Sequence, residues 1–79
     1  MPERVEERLQ NCFAIVFPNL ERNQIRHAET DNVEGWDSVA MVTLAAVIAE
    51  EFQLNIPAED LSELLSFTAF ADYLRLLQS

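Results

Sequence analysis

A single glycine, Gly35, stands in the 79 residues of this chain, and that scarcity limits the fold more than any other feature. Tight hairpin turns and phosphate-cradling loops draw on glycine because it adopts positive φ without steric cost. A chain with one glycine is not built from many short strands, and it holds no glycine-rich phosphate loop. Apolar residues make up 49% of the chain, too many for a disordered segment. The expectation is therefore all-α, one domain over residues 1–79, with the modest core that so short a chain can bury.

Charge narrows the partners. Lys and Arg total 5 against 14 Asp and Glu, a net charge of −9. Nucleic acid phosphates repel such a surface, so the sequence predicts no nucleic-acid ligand and favours basic protein partners. The lone cysteine, Cys12, allows no internal disulfide and no cysteine-based metal cluster. It shares an apolar helical stripe, which reads as a small buried hydrophobe rather than a reactive thiol. The first residues, Met1-Pro2-Glu3-Arg4-Val5-Glu6-Glu7, are acidic and lack the apolar core of a signal peptide. The longest apolar run, Val39 to Ala49, falls short of the roughly 20 residues that span a bilayer. These features predict a soluble, cytoplasmic monomer with no membrane partner.

Periodicity predicts a first helix from about Pro2 to Phe17, with Pro2 in its first turn and Glu3, Glu6 and Glu7 near the positive end of its dipole. Val5, Leu9, Cys12, Phe13 and Val16 form its core stripe, and Pro18 ends it. From Asn19 to Asp37 no period is sustained, and Leu20, Ile25 and Val33 are the expected anchors of a long loop. The next principal helix opens at about Asp37 and runs to Phe52, with Met41, Leu44, Ala45, Ile48 and Phe52 facing the core. Val39, Val42 and Ala46 form a second stripe rotated by about 140°. A small bundle cannot readily bury both, so the second is expected to be exposed and to dock a partner. Leu54 and Ile56 anchor the following loop. Pro57 starts a short helix expected to reach Leu65, with Leu61, Leu64 and Leu65 as its apolar contacts. Ser66 suits the N-cap of a last helix over 67–77, on which Phe67, Phe70, Leu74 and Leu77 align with Tyr73 at the edge. The architecture is three principal helices plus one short one.

Ser38 follows Trp36 and Asp37 at the start of the apolar helix. Unpaired amides and the helix dipole favour an anion there, a phosphate ester on the hydroxyl included. As a hydrolase nucleophile Ser38 would need a base, for which His27 is the sole candidate, and Gly-Trp-Asp-Ser-Val lacks the second glycine of a nucleophile elbow. The acid pairs Glu6-Glu7, Glu50-Glu51 and Glu59-Asp60 point about 100° apart on a helix and fit solvated faces rather than acid–base pairs. No spacing of metal ligands is present. What remains for Ser38 is a helix-cap hydroxyl or a site of covalent modification.

The chain resembles the acyl carrier proteins. The resemblance rests on Asp37-Ser38-Val39 opening the apolar helix and on Glu50-Glu51-Phe52 closing it. Ile56-Pro57 with Glu59-Asp60, Ser66-Phe67 and Asp72-Tyr73-Leu74 extend it over nearly the whole chain. It implies an acyl-carrier-like bundle with no catalysis of its own. A 4′-phosphopantetheine arm would be joined to Ser38 by a phosphopantetheinyl transferase and hold thioester-bound intermediates of fatty acid, polyketide or related biosynthesis. It implies that Asp37 serves transferase recognition, and that Trp36, Val39, Val42 and Ala46 meet partner enzymes such as acyl or aminoacyl ligases and synthases.

The chain departs from the family pattern in two respects. Val39 replaces the usual leucine after the serine. Ala40 and Thr43 stand where fatty-acid carriers usually place acids on the exposed face, and this resembles stand-alone carriers of specialised pathways. The alternative reading is an unmodified helical module with the same fold, binding a partner through its second principal helix.

Overall fold

The computed structural model describes residues 4–78. Five helices follow one another: α1 (Arg4–Val16), α2 (Arg22–Ile25), α3 (Ser38–Phe52), α4 (Ala58–Leu61) and α5 (Phe67–Gln78). The fold is all-α, of the acyl-carrier type. The expected role of Pro2 and Glu3 in the first turn lies outside the described residues.

The core forms where the apolar stripes of α1, α3 and α5 converge. Leu9, Cys12 and Phe13 from α1, Leu44, Ile48 and Phe52 from α3, and Phe67, Phe70, Ala71 and Leu74 from α5 are all buried. Phe13 sits at its centre, with its ring 5.2 Å from Phe67, 5.5 Å from Trp36 and 5.9 Å from Phe70, each pair edge-to-face. In that arrangement the positive ring edge meets the negative face.

The expected architecture has one short helix; the structure has two. Residues 22–25 form the additional turn, α2, because Gln24 Oε1 turns back to accept the Glu21 amide at 2.8 Å. Ile25 drops into the core from this turn, and Arg22 reaches Gln10 Oε1 on α1 at 2.6 Å. The rest of the long loop is tied down. Asn32 Oδ1 accepts the Glu29 amide at 2.8 Å while its Nδ2 donates to the His27 carbonyl at 3.0 Å. Glu29 and Ser66 form an isolated antiparallel bridge; beside it Thr30 donates to the Leu65 carbonyl at 3.0 Å and Phe67 to the Ala28 carbonyl at 2.9 Å.

The helix ends differ from expectation in two further places. α4 stops at Leu61 rather than Leu65, because Ser62 caps it by donating its hydroxyl to the Glu59 carbonyl at 2.9 Å. Leu64 then turns inward from the connection while Leu65 stays exposed. Leu77 is also exposed, since α5 outruns the core after Leu74. Ser66 does cap α5, its Oγ accepting the Ala69 amide at 3.1 Å.

Arg8 on α1 fastens the far end of α3. Its guanidinium donates to Glu51 Oε2 at 2.9 Å and to the Glu51 carbonyl, and lies 4.3 Å from the ring centroid of Phe52. A cation over an aromatic face and beside the negative end of a helix is favourable on both counts.

Candidate functional site

The chain enters α3 through a turn that needs its glycine. Gly35 has φ +91°, a conformation in which a side chain would be strained even though the space around it is open. Trp36 follows, then Asp37 in extended conformation as N-cap, with its Oδ1 accepting the Ala40 amide at 2.9 Å. The backbone carbonyl of Asp37 takes the Met41 amide, the first intrahelical bond. Ser38 is therefore the first residue of the helix, and it is exposed. The first turn holds no acid, so the positive end of the dipole faces solvent beside the hydroxyl, countered by the Asp37 carboxylate alone on this segment.

Ser38 stands at the edge of a cleft of about 440 Å³. Trp36, Asp37 and Met41 form one side, Ala58, Leu61 and Ser62 of the α4 segment the other, with Thr30 also on its wall. Its lining is mostly apolar, which suits an organic group tethered at Ser38. On the α4 side no residue of the helix is fully buried; Leu61 packs half-buried against the core, and Asp60 accepts the Tyr73 hydroxyl at 2.7 Å. Desolvation and this carboxylate both raise the Tyr73 pKa, so the hydroxyl stays protonated as donor.

The neighbouring face of α3 is bare. Val39 is 73% and Val42 64% exposed, and Ala46 and Thr43 are exposed with them. The Thr43 hydroxyl donates back to the Val39 carbonyl at 3.0 Å. No charged residue occurs from Ser38 to Ala49 in a chain of net charge −9. The long loop does not cover this stripe.

Trp36 requires a correction. The sequence reading grouped it with partner contacts, but it is 7% exposed, with its ring 5.5 Å from Phe13, 5.6 Å from Phe17 and 6.5 Å from Phe70. The residue before an N-cap often packs against the fourth helical residue, here Met41, and fixes how the chain enters the helix. Trp36 Nε1 is the one buried side-chain nitrogen or oxygen among the described residues without a hydrogen-bond partner. An unsatisfied buried donor costs about 1–3 kcal/mol.

Other candidate chemistry is not assembled here. His27 is exposed and lines a different hollow with Leu20, Asn23, Gln24, Asn32 and Val33, so the structure does not bring it to Ser38. Cys12 is buried, and burial, reinforced by Glu51 and partly offset by Arg8, pushes its thiol up to about 11. Among the described residues no three His, Cys, Asp or Glu side chains gather as a metal site, and no helix is long and apolar enough to cross a membrane.

The geometry fits covalent attachment of an anion-linked group: an exposed hydroxyl on the first residue of a long helix, next to an apolar cleft. A family model described as phosphopantetheine attachment site matches residues 7–74. No curated protein matches the chain.

Proposed function

The chain belongs to the phosphopantetheine attachment site family, and on that premise we propose that it is a carrier of acyl or aminoacyl groups modified on Ser38. Proteins of this family hold 4′-phosphopantetheine covalently and work with phosphopantetheinyl transferases and biosynthetic enzymes. The arm supplies a terminal thiol on which cargo is held as a thioester.

The observation that carries the assignment is Ser38 itself, exposed at the first position of α3 with Asp37 capping the helix behind it. A phosphodiester there meets the amides and the dipole of the helix start. Asp37 leaves the remaining first-turn amides open to that anion by taking only the Ala40 amide, and its carboxylate is available to a transferase. The tether raises the effective concentration of cargo at each partner's active site. Val39, Val42 and Ala46 dock those partners, acyl or aminoacyl ligases and synthases. The neutral stripe supports a specialised pathway over fatty-acid synthesis, because acids on this face would steer basic fatty-acid enzymes and here they are replaced by Ala40 and Thr43. The chain acts as a monomeric, non-catalytic domain in the cytoplasm.

Intact mass before and after incubation with a promiscuous phosphopantetheinyl transferase, magnesium and coenzyme A tests this. The wild-type protein gains one arm, and Ser38→Ala gains none while keeping its helical circular dichroism. Loading of Ser38→Ala would overturn the site. A folded wild-type protein that no transferase loads would instead be an unmodified interaction module.

A further inference from the structure

The α4 segment closes its backbone hydrogen bonds on itself. Asp60 and Leu61 donate to the Pro57 carbonyl, Ser62 to Ala58 and Glu63 to Asp60. Pro57 at the N-cap adds no side-chain bond, and the Ser62 hydroxyl bonds within the same turn. Residues 57–63 can therefore shift as a body with these bonds intact. The chain on either side is fixed, since Ile56 packs against the core before the segment and Leu64 is buried after it. Between those points Leu61 packs half-buried against the core, and Asp60 accepts the Tyr73 hydroxyl at 2.7 Å. Tyr73 belongs to α5 and its side chain packs against the core, so the hydroxyl is the fixed half of this bond and the carboxylate the moving half. The bond is partly buried, where a hydrogen bond to a carboxylate is stronger than in water.

We propose that this hydrogen bond is a latch on the wall of the cleft: residues 57–63 swing away from α3 as a unit, and the Tyr73–Asp60 bond sets how often they do. Breaking it leaves the half-buried Leu61 to resist the motion. A hydrogen bond to a charged group is strong enough to shift such a local opening by about tenfold. The wall facing α4 holds Trp36 and Met41 beside Ser38. Each opening bares that apolar surface to solvent, whether or not Ser38 is modified.

The chain has one tryptophan, 7% exposed in the closed cleft, so acrylamide quenching of its fluorescence reads the opening. The measurement uses the unmodified full chain under native conditions, excited where tyrosine does not absorb, and is independent of the carrier reading. Tyr73→Phe keeps the ring and removes the donor; Asp60→Ala removes the acceptor and leaves α5 untouched. Both raise the quenching constant by about twofold or more as the open population grows. Asp60→Asn, which keeps an acceptor oxygen, stays nearer wild type. Arg8→Ala is the control: it loosens α1 on α3 at the end away from the cleft, and its urea midpoint falls while its quenching holds at the wild-type value. Wild-type quenching in both Tyr73→Phe and Asp60→Ala, each folded by circular dichroism, overturns the latch. A rise in only one of the two overturns it as well, because the bond between them is then not the cause. An equal rise in Arg8→Ala also overturns it, by showing that general loosening exposes the indole.

Discussion

Asp37 Oδ1 accepts the Ala40 amide at 2.9 Å, and the same carboxylate flanks the hydroxyl assigned to the arm. The proposed function gives this one side chain transferase recognition as well as capping, and substitution can part the two. Asp37→Ala removes the cap and lowers stability by about 0.5–2 kcal/mol in urea unfolding. Asp37→Asn keeps a capping oxygen, so its stability stays near wild type while the rate of arm transfer falls. Equal loading of the Asn variant and wild type would leave capping as the only role of Asp37. Residues of this kind were legible in the sequence, because an acid and a serine before an apolar run mark a helix start on their own. Trp36 was less legible. Its neighbours in sequence are polar, and only its spacing to Met41 signals that the entering chain folds it inward.

Among the elements, α3 is unusual in being apolar on two faces with one partner layer. Leu44, Ile48 and Phe52 are buried against the core, while Val39, Val42 and Ala46 meet solvent. Val42→Glu consequently weakens binding to the loading enzyme by at least tenfold in titration calorimetry, with thermal unfolding shifted little, since surface changes usually stay within about 0.5 kcal/mol. A comparable loss of stability would mean that the stripe is covered. The long helices were legible because two or more turns of periodicity outweigh local accidents. The four-residue α2 and α4 are too short to show a period, and side-chain caps from Gln24 and Ser62 decide where they form and end. Leu65 and Leu77 looked like core residues because periodicity tells which face is apolar but not how far the neighbouring layer extends.

For the molecule as a whole, the buried thiol sets an alkaline limit. Cys12 ionises near 9.0 in an unfolded chain and near 11 when folded, so the unfolded state gives up its proton first. Stability is unaffected by this group below pH 9 and declines as pH climbs toward 11, with Tyr73 adding a loss of the same sign at higher pH. Urea midpoints measured across that range fall in wild type and fall less in Cys12→Ala; parallel curves would exclude the thiol as the cause. The charge balance and the all-α layout were legible from composition and the burial of Cys12 from its helical stripe, but the reinforcing charge of Glu51 depends on how α1 packs against α3 and was not. The clasp of Arg8 on Glu51 and Phe52 secures α3 at the end away from Ser38. Its outward residues are thereby relieved of any duty to the fold. Under the proposed function, positions 39, 42 and 46 are then free to drift over evolutionary time, so descendants of this chain could change allegiance from one enzyme to another without first acquiring a stabilising mutation elsewhere.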